Sequence, residues 1–251
     1  MANYDSAFFD YVNSGALKSA KAMLPLLQEQ LHVKSVLDVG CGQGGWLAVW
    51  KDLGCDRIHG IDGDYVERDS LFIDKEEFSG IDLAKSFDLN QQFDIAQSLE
   101  VGEHLPTSSS ADFVASIVKH APIVLFSAAA RGQGGDSHVN EQDYEFWRKH
   151  FAKHDYVAID YVRPLILNNT EIEAWYRYNP FLYVARSKVA ELPQALRDCV
   201  VPDDEPLKDL SPGCYKVRKA LVRLLPISVA TKIAKIKEAR TVKKRDQAKA
   251  A

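Results

Sequence analysis

A glycine-rich turn between an apolar strand and a helix is the feature that most constrains the fold of this chain. The segment VLDVGCGQGGWL at 36–47 opens with an apolar run typical of a buried strand, and Gly40, Gly42 and Gly44 follow it directly. Glycine lets the backbone turn sharply and approach a ligand without a Cβ clash. The segment therefore predicts a strand, a turn and the start of a helix. By itself it is also compatible with a purely structural turn or a dinucleotide site.

Strand and helix patterns alternate from this point to residue 186. Apolar runs predict strands at 35–39, 57–61, 78–81, 93–99, 123–129, 156–162 and 181–186. Helical spacing predicts one or two N-terminal helices over 8–31, broken near Pro25, and further helices at 44–53, 106–120 and 141–153. The alternation predicts an α/β fold with a mostly parallel sheet and helices on both faces.

The charges divide the chain into an acidic body and a basic tail. Residues 215–251 hold twelve Lys/Arg and two acids, a net charge of +10, which leaves −14 on residues 1–214 of a chain whose net charge is −4. The acidic body disfavours a nucleic-acid partner. We expect a main domain over 1–190, a Pro-rich linker over 191–214 and a basic amphipathic helical tail over 215–251. The tail could pack on the body, mediate self-association or contact an anionic membrane as a peripheral anchor.

The cysteines and the N-terminus bear on the compartment. Four cysteines are scattered without CxxC spacing, which favours a reducing environment. The sequence shows neither a signal-peptide pattern nor an apolar run long enough to span a membrane. We expect a cytoplasmic protein, with the tail as the feature that could bring it to the inner face of the membrane.

Two acids follow the second and third predicted strands. Asp62, in GIDGDYV, stands where a carboxylate accepts hydrogen bonds from ribose hydroxyls, although a turn or cap residue is the alternative. Asp82, in FSGIDL, could accept the amino group of an adenine. Both predicted positions lie at the edge where α/β sheets bind ligands.

The ordered series VLDVGCGQGGWL, GIDGDYV, FSGIDL and FDIAQSLEVGEHLP resembles the motif series of the class I S-adenosylmethionine (SAM)-dependent methyltransferases. The resemblance covers about residues 4–186 and extends to a bacterial group often associated with polysaccharide or other glycan modification. It implies a Rossmann-like, seven-stranded sheet whose last strand is antiparallel. Gly63, directly after Asp62, departs from the family pattern and leaves the second ribose contact open. The resemblance also implies a SAM site formed by Asp38, Gly40, Cys41, Gly42, Gly44, Asp62, Gly63, Asp82, Leu83, Ser98, Leu99 and Glu100.

Polar clusters follow the fourth and fifth strands, in SLEVGEHLP at 98–106 and GDSHVNEQ at 135–142. Methyl transfer to a hydroxyl needs positioning and loss of a proton, so we expect His138, His104 and Glu103 to be catalytic candidates. Glu100 and these three residues could also bind a divalent cation, Mg²⁺ or Mn²⁺. Glu100, Glu103 and His104 resemble the EVxEH metal motif of the plant small-RNA 2′-O-methyltransferase. Many metal-independent methyltransferases carry a similar EHL or EHLP segment for packing, capping or substrate contact. His138 could act as a general base, bind a metal or fix the conformation of the GQGG turn.

These expectations together describe a SAM-dependent O-methyltransferase acting on a hydroxyl or phosphate-bearing group of a sugar, a glycan or a related polar metabolite. Alternatives are a methyltransferase for a small natural product or an RNA end, a noncatalytic SAM-binding scaffold and a nucleotide-dependent oxidoreductase. Arg131 and Arg163, each just past a predicted strand, could meet a phosphate or carboxylate of the acceptor, with surface ion pairs as the alternative.

Overall fold

A computed structural model gives the fold and describes residues 6–225 and residue 229, with side chains from residue 15 onward. Most of the predicted basic tail over 215–251 therefore lies outside the described residues, and only its first part is considered below. Among the described residues, no helix has both the length and the apolar character needed to cross a membrane.

The described chain forms one seven-stranded sheet. Its strands are β1 (Ser35–Val39), β2 (Arg57–Asp62), β3 (Phe78–Gly80), β4 (Ile95–Leu99), β5 (Ile123–Ser127), β6 (Tyr156–Ile159) and β7 (Phe181–Ala185). Their order is β3-β2-β1-β4-β5-β7-β6, and β7 runs antiparallel to the other six strands. The predicted Rossmann-like, mostly parallel sheet is confirmed. Residues that follow β1, β2, β4 and β5 consequently meet at one edge.

The described helices extend the predicted pattern. They are α1 (Ser6–Leu31), α2 (Gly45–Asp52), α3 (Ser110–Val118), α4 (Tyr144–Ala152), α5 (Val162–Ile166), α6 (Ala174–Tyr178), α7 (Gln194–Arg197) and α8 (Gly213–Val222). The predicted break near Pro25 is wrong, because α1 continues through it. Pro25 lies on the exposed side of α1, while Met23, Leu24 and Leu27 are fully buried, and their packing holds the helix together despite the missing N–H.

Two hydrophobic layers cover the sheet because side chains of a strand alternate between its faces. In β1, Val36 belongs to the layer that contains α1 and α2, whereas Leu37 belongs to the layer that contains α3 and α4. In β7, Leu182 and Tyr183 divide in the same way. The strands are thus held from both sides, and their ends have defined positions.

The segment 191–214, predicted as a linker, packs against this domain. Leu196 is fully buried, and Val200 bridges to Ile159 at the edge of β6. The buried Arg148 donates to the carbonyls of Val201 and Pro202, at 3.0 and 2.6 Å. The division into a domain over 1–190 and a separate linker stays a prediction, and the segment covers an otherwise open sheet edge.

Arg163 is available neither to an acceptor phosphate or carboxylate nor to a surface ion pair, the two possibilities raised by its position, because its side chain is fully buried. Its guanidinium donates to both carboxylate oxygens of Asp160, at 2.7 and 2.6 Å, and to the carbonyls of Tyr178 and Lys208, at 3.0 and 2.9 Å. It also lies 3.7 Å above the centre of the Phe181 ring. Arg163 therefore joins three separate chain segments in the interior.

Replacing Asp160 with alanine should leave this guanidinium buried without its counter-charge. We expect the free energy of unfolding to fall by about 3–5 kcal/mol, as when one partner of a buried ion pair is removed. Urea denaturation measures the change. Glu191→Ala is the control, because Glu191 and its partner Lys188 are exposed and such pairs contribute little. Equal losses in the two variants would contradict the interior role of Arg163.

Candidate active site

The turn after β1 presents backbone rather than side chains to its surroundings. Gly40, Gly42 and Gly44 have φ values of 85°, 53° and 80°, in the region that favours glycine. A Cβ at Gly40 would collide with the Val101 side chain, whereas no described atom lies within 4 Å of a Cβ placed on Gly42. Cys41 is buried between them, and burial raises the pKa of its thiol, so it stays protonated. Bare backbone at Gly42 suits a bound cofactor.

Asp62, at the end of β2, is hydrogen-bonded to this turn. One carboxylate oxygen accepts the N–H of Gly42 at 2.7 Å, and the other accepts the Gly63 N–H at 2.7 Å and the Tyr65 hydroxyl at 2.5 Å. A Cβ at Gly63 would collide with the Tyr65 ring. The glycine that departs from the family pattern therefore makes room for Tyr65, which sequence reasoning missed although it stands three residues after the acid.

Asp38, near the end of β1, is a buried acid suited to a cationic ligand. Its exposed fraction is 3%, and burial, reinforced by the charge of Asp62 and opposed by a contact with Gln97, raises its pKa to about 7. The described residues provide no cation that forms an ion pair with it. A positively charged group placed here would favour the ionised carboxylate, and the methionine part of SAM carries an ammonium group.

The other residues predicted to bind SAM have different surroundings. Asp82 is exposed and pairs with Lys85 at 3.2 Å, and this hydrogen bond lowers the pKa of Asp82. Leu83 is buried in the layer of α3 and α4, and Ser98 and Leu99 are buried at the end of β4. The Ser98 hydroxyl has no hydrogen-bond partner among the described residues. The roles of these four residues in binding SAM stay predictions.

Glu100 follows β4 with φ of +58°, a conformation uncommon outside glycine. Its two carboxylate oxygens accept the side-chain amides of Gln133 at 2.7 Å and Asn179 at 3.0 Å. Asn179 also donates to Gln133 at 2.8 Å, and the buried Tyr144 hydroxyl donates to Asn179 at 3.1 Å. Sequence reasoning missed this network, although Gln133 follows β5 and Asn179 precedes the antiparallel β7, which places both at the same edge.

Glu103, His104 and His138 meet beside this network. One ligand atom from each lies within 4.8 Å of the others, and the two imidazole rings stand perpendicular with centres 4.9 Å apart. Glu103 is fully buried, and both of its carboxylate oxygens lack a hydrogen-bond partner among the described residues. Burial and the charge of Glu100 raise the pKa of Glu103 well above its usual value, although the backbone N–H groups of Glu103 and Ala129 lie near the carboxylate and oppose the rise. Desolvation of the ring and the nearby His138 lower the pKa of His104 to about 4, although the residue as a whole is exposed.

Three of the four predicted metal ligands therefore converge. Glu100 is not in this group, because Gln133 and Asn179 occupy its carboxylate. A carboxylate and two imidazoles are a ligand set that divalent transition metals accept. The same groups could instead accept a proton from a hydroxyl.

Glu141 organises the loop that carries His138. Its carboxylate accepts the N–H groups of Gly132 at 2.8 Å and Gly134 at 2.6 Å, and it lies 2.9 Å from His138 Nδ1. Because a carboxylate can only accept a hydrogen bond, we assign the ring proton of His138 to Nδ1, which leaves the lone pair on Nε2. Glu141 thereby sets the tautomer and orientation of His138.

Asn140 joins this loop to the turn after β4. It is buried, donates to the Gly102 carbonyl at 3.1 Å and the Ser110 hydroxyl at 3.0 Å, and accepts the Thr107 hydroxyl at 2.7 Å. Val139 and Asn140 also donate their backbone N–H groups to the Glu103 carbonyl at 2.9 Å. The two polar loops predicted to converge are thus joined by hydrogen bonds.

The sheet order, the glycine turn after β1 and the acid at the end of β2 together define a class I SAM-dependent methyltransferase. Residues 14–165, more than half of the chain, match the family described as Methyltransferase domain. The chain belongs to this family and is a SAM-dependent enzyme. No curated protein matches its sequence.

Solved structures share this fold at low sequence identity. The sugar N-methyltransferase KedS8 from Streptoalloteichus has a TM-score of 0.57 and 16% identity, over 74% of this chain and 95% of that one. Streptomyces venezuelae DesVI has a TM-score of 0.53 and 16% identity, over 73% and 99%. SAM-bound CalS10, an amino pentose methyltransferase from Micromonospora echinaspora involved in calicheamicin biosynthesis, has a TM-score of 0.50 and 13% identity, over 74% and 98%.

Replacing Asp38 with asparagine should stabilise the fold and weaken SAM binding. The folded pKa of about 7 lies above the usual 3.8, so ionising Asp38 destabilises the folded state. That destabilisation is absent below pH 3.8, grows as the pH rises and is complete above about 7. The variant should therefore gain up to about 4 kcal/mol in unfolding free energy above pH 7 and nothing at acidic pH.

Denaturation below pH 3.8 and above pH 7 measures the change in stability, and calorimetry with SAM measures the change in affinity. Asp204→Asn is the control, because Asp204 is exposed. A gain in stability that does not change with pH, or unchanged SAM affinity, would contradict the role assigned to Asp38.

Proposed function

We propose that this enzyme is an O-methyltransferase that moves the methyl group of SAM to a hydroxyl of a sugar, a glycan or a related polar metabolite. The observation that carries the proposal is the cluster of Glu103, His104 and His138 at the edge that also holds the glycine turn. A hydroxyl is a weak nucleophile until its proton is removed or its oxygen is polarised. The cluster supplies groups for both.

We further propose that this cluster holds a divalent cation. A fully buried carboxylate is unfavourable unless a cation or a proton meets it, and the Glu103 oxygens make no hydrogen bond of ordinary geometry with the described residues. His104 and His138 complete a three-residue ligand set that leaves positions for the acceptor. A bound divalent cation would lower the pKa of a coordinated hydroxyl and hold it in place.

The remaining residues orient these groups. Glu141 keeps the lone pair of His138 on Nε2, as partners behind metal-binding histidines commonly do. If the site works without metal, the same arrangement makes His138 the general base, with Glu141 stabilising the ring once it is protonated. Asp62 and Asp38 are assigned to the ribose and the ammonium group of SAM, whose methyl group then has to face the cluster.

An amino-sugar acceptor is the second candidate. The structural neighbours KedS8 and CalS10 are a sugar N-methyltransferase and an amino pentose methyltransferase. The Glu103 carboxylate could bind the ammonium group of such an acceptor and take one of its protons, which leaves the free amine to attack the methyl group of SAM.

Methyl transfer to matched acceptors distinguishes the two. The protein is incubated with labelled SAM and with pairs of nucleotide-activated or free sugars that differ only in a hydroxyl or an amine, and mass spectrometry locates the label. We expect label on oxygen. Label on the amine alone would favour the second candidate, and label on neither would contradict both.

Glu103→Gln should weaken Mn²⁺ binding by about tenfold or more, because it removes the buried charged ligand. Calorimetry or electron paramagnetic resonance with Mn²⁺ alone measures the affinity. Glu76→Gln is the control, because Glu76 is exposed and is not part of the cluster. We expect that control to keep its Mn²⁺ affinity. No Mn²⁺ binding in the unmodified protein, or equal loss in both variants, would contradict the metal site.

His138→Gln should lower kcat by roughly 10²–10⁴ while SAM affinity is kept, because His138 is assigned to the acceptor side of the site. Steady-state kinetics on the acceptor identified above and calorimetry with SAM measure the two effects. The exposed His154, in the turn between α4 and β6, provides the control His154→Gln. Unchanged kcat in His138→Gln would remove this residue from the mechanism.

A further inference from the structure

Two cations of α8 and of the turn that ends it, Lys219 and Arg223, contact the body of the protein. Lys219 is buried and pairs with Asp209 at 2.5 Å. Arg223 donates to the carbonyl of Arg131 at 3.1 Å and lies 3.5 Å from Asp143. The basic side of the helix therefore packs on the acidic domain.

The opposite side of α8 is apolar and exposed. Val217, Leu221 and Leu224 have exposed fractions of 61, 61 and 81%, and their spacing places them along one line of the helix and the turn that ends it. Five of the nine exposed large hydrophobic residues of the described chain lie within 217–229. An apolar patch gathered in one place marks an interaction surface.

We propose that this outward face of α8, defined by Val217, Leu221 and Leu224, docks the enzyme on an anionic lipid membrane. The sequence after residue 225 favours a membrane as the occupant. Residues 226–251 hold eight Lys/Arg and two acids, a net charge of +6, with further apolar residues at helical spacing such as Ile233 and Ile236. Apolar residues among cations are the composition that binds anionic bilayers.

A second copy of the chain is a poorer occupant of this face. Pairing two α8 faces would bring together the exposed Lys216 and the cationic segment 226–251 of each copy. Such like-charge contacts oppose association, whereas a bilayer with acidic headgroups attracts the same cations.

Docking by α8 would also orient the active-site edge. The carbonyl of Lys219 lies so close to Gly132 that a Cβ there would collide with it, and Val222 approaches Gly134. These glycines belong to the loop that Glu141 holds beside His138. The inner side of α8 therefore contacts the loop of the candidate site, and the membrane-binding face is the outer side of the same helix.

Vesicle co-sedimentation of the full chain tests the proposal without any acceptor, so its outcome is independent of the proposed function. We expect binding to vesicles of phosphatidylcholine and phosphatidylglycerol that weakens with salt, and much weaker binding to pure phosphatidylcholine. Leu221→Asp combined with Leu224→Asp should lower the affinity at least about tenfold. The control Leu165→Asp changes another exposed leucine, on α5, and should bind as the unmodified protein does.

SAM binding by calorimetry checks that each variant is folded. Absence of binding to the acidic vesicles, or binding that the double variant leaves unchanged, would overturn the proposal. Light scattering provides a second test without lipid. A dimer that the double variant converts to a monomer would assign the face to a second copy and would also overturn it.

Discussion

The hydrogen bond from the Gly42 N–H to the Asp62 carboxylate, 2.7 Å long, joins the two strand ends on which the site depends. The Gly40 N–H adds a bond of 2.8 Å to the Ile61 carbonyl, so the turn after β1 takes its shape from the end of β2. Both strands are held between two hydrophobic layers, and little freedom remains at their ends. The methyl donor is therefore expected to meet a preformed backbone surface.

Two buried acids make this edge suited to positively charged ligands. Asp38 and Glu103 both have raised pKa values because burial disfavours their ionised forms. A fold that keeps such groups gives up some stability, which a positively charged ligand restores when it binds. SAM carries an ammonium and a sulfonium group, so the donor has the charge that this edge lacks. The same reasoning explains why the Glu103 cluster suits a metal or an amine.

The sequence predicts what depends on local pattern and misses what depends on distant partners. Buried strands leave apolar runs, so all seven were predicted, with differences at their ends. Pro25 predicted a break that buried neighbours overrule. Arg163 was expected at the surface because charged side chains are usually exposed, yet it is buried among partners from three segments of the chain. Glu100 was expected at the metal site, but Gln133 and Asn179, 33 and 79 residues further along, occupy its carboxylate.

A crystal structure with S-adenosylhomocysteine would locate the methyl donor relative to Asp38, Asp62 and the Glu103 cluster. We expect the ribose hydroxyls on the Asp62 carboxylate, where they displace the Tyr65 hydroxyl, the ammonium group beside Asp38, and the sulfur facing the cluster that contains Glu103 and His138. Product bound elsewhere, or product bound with its sulfur turned away from that cluster, would contradict this arrangement of the site.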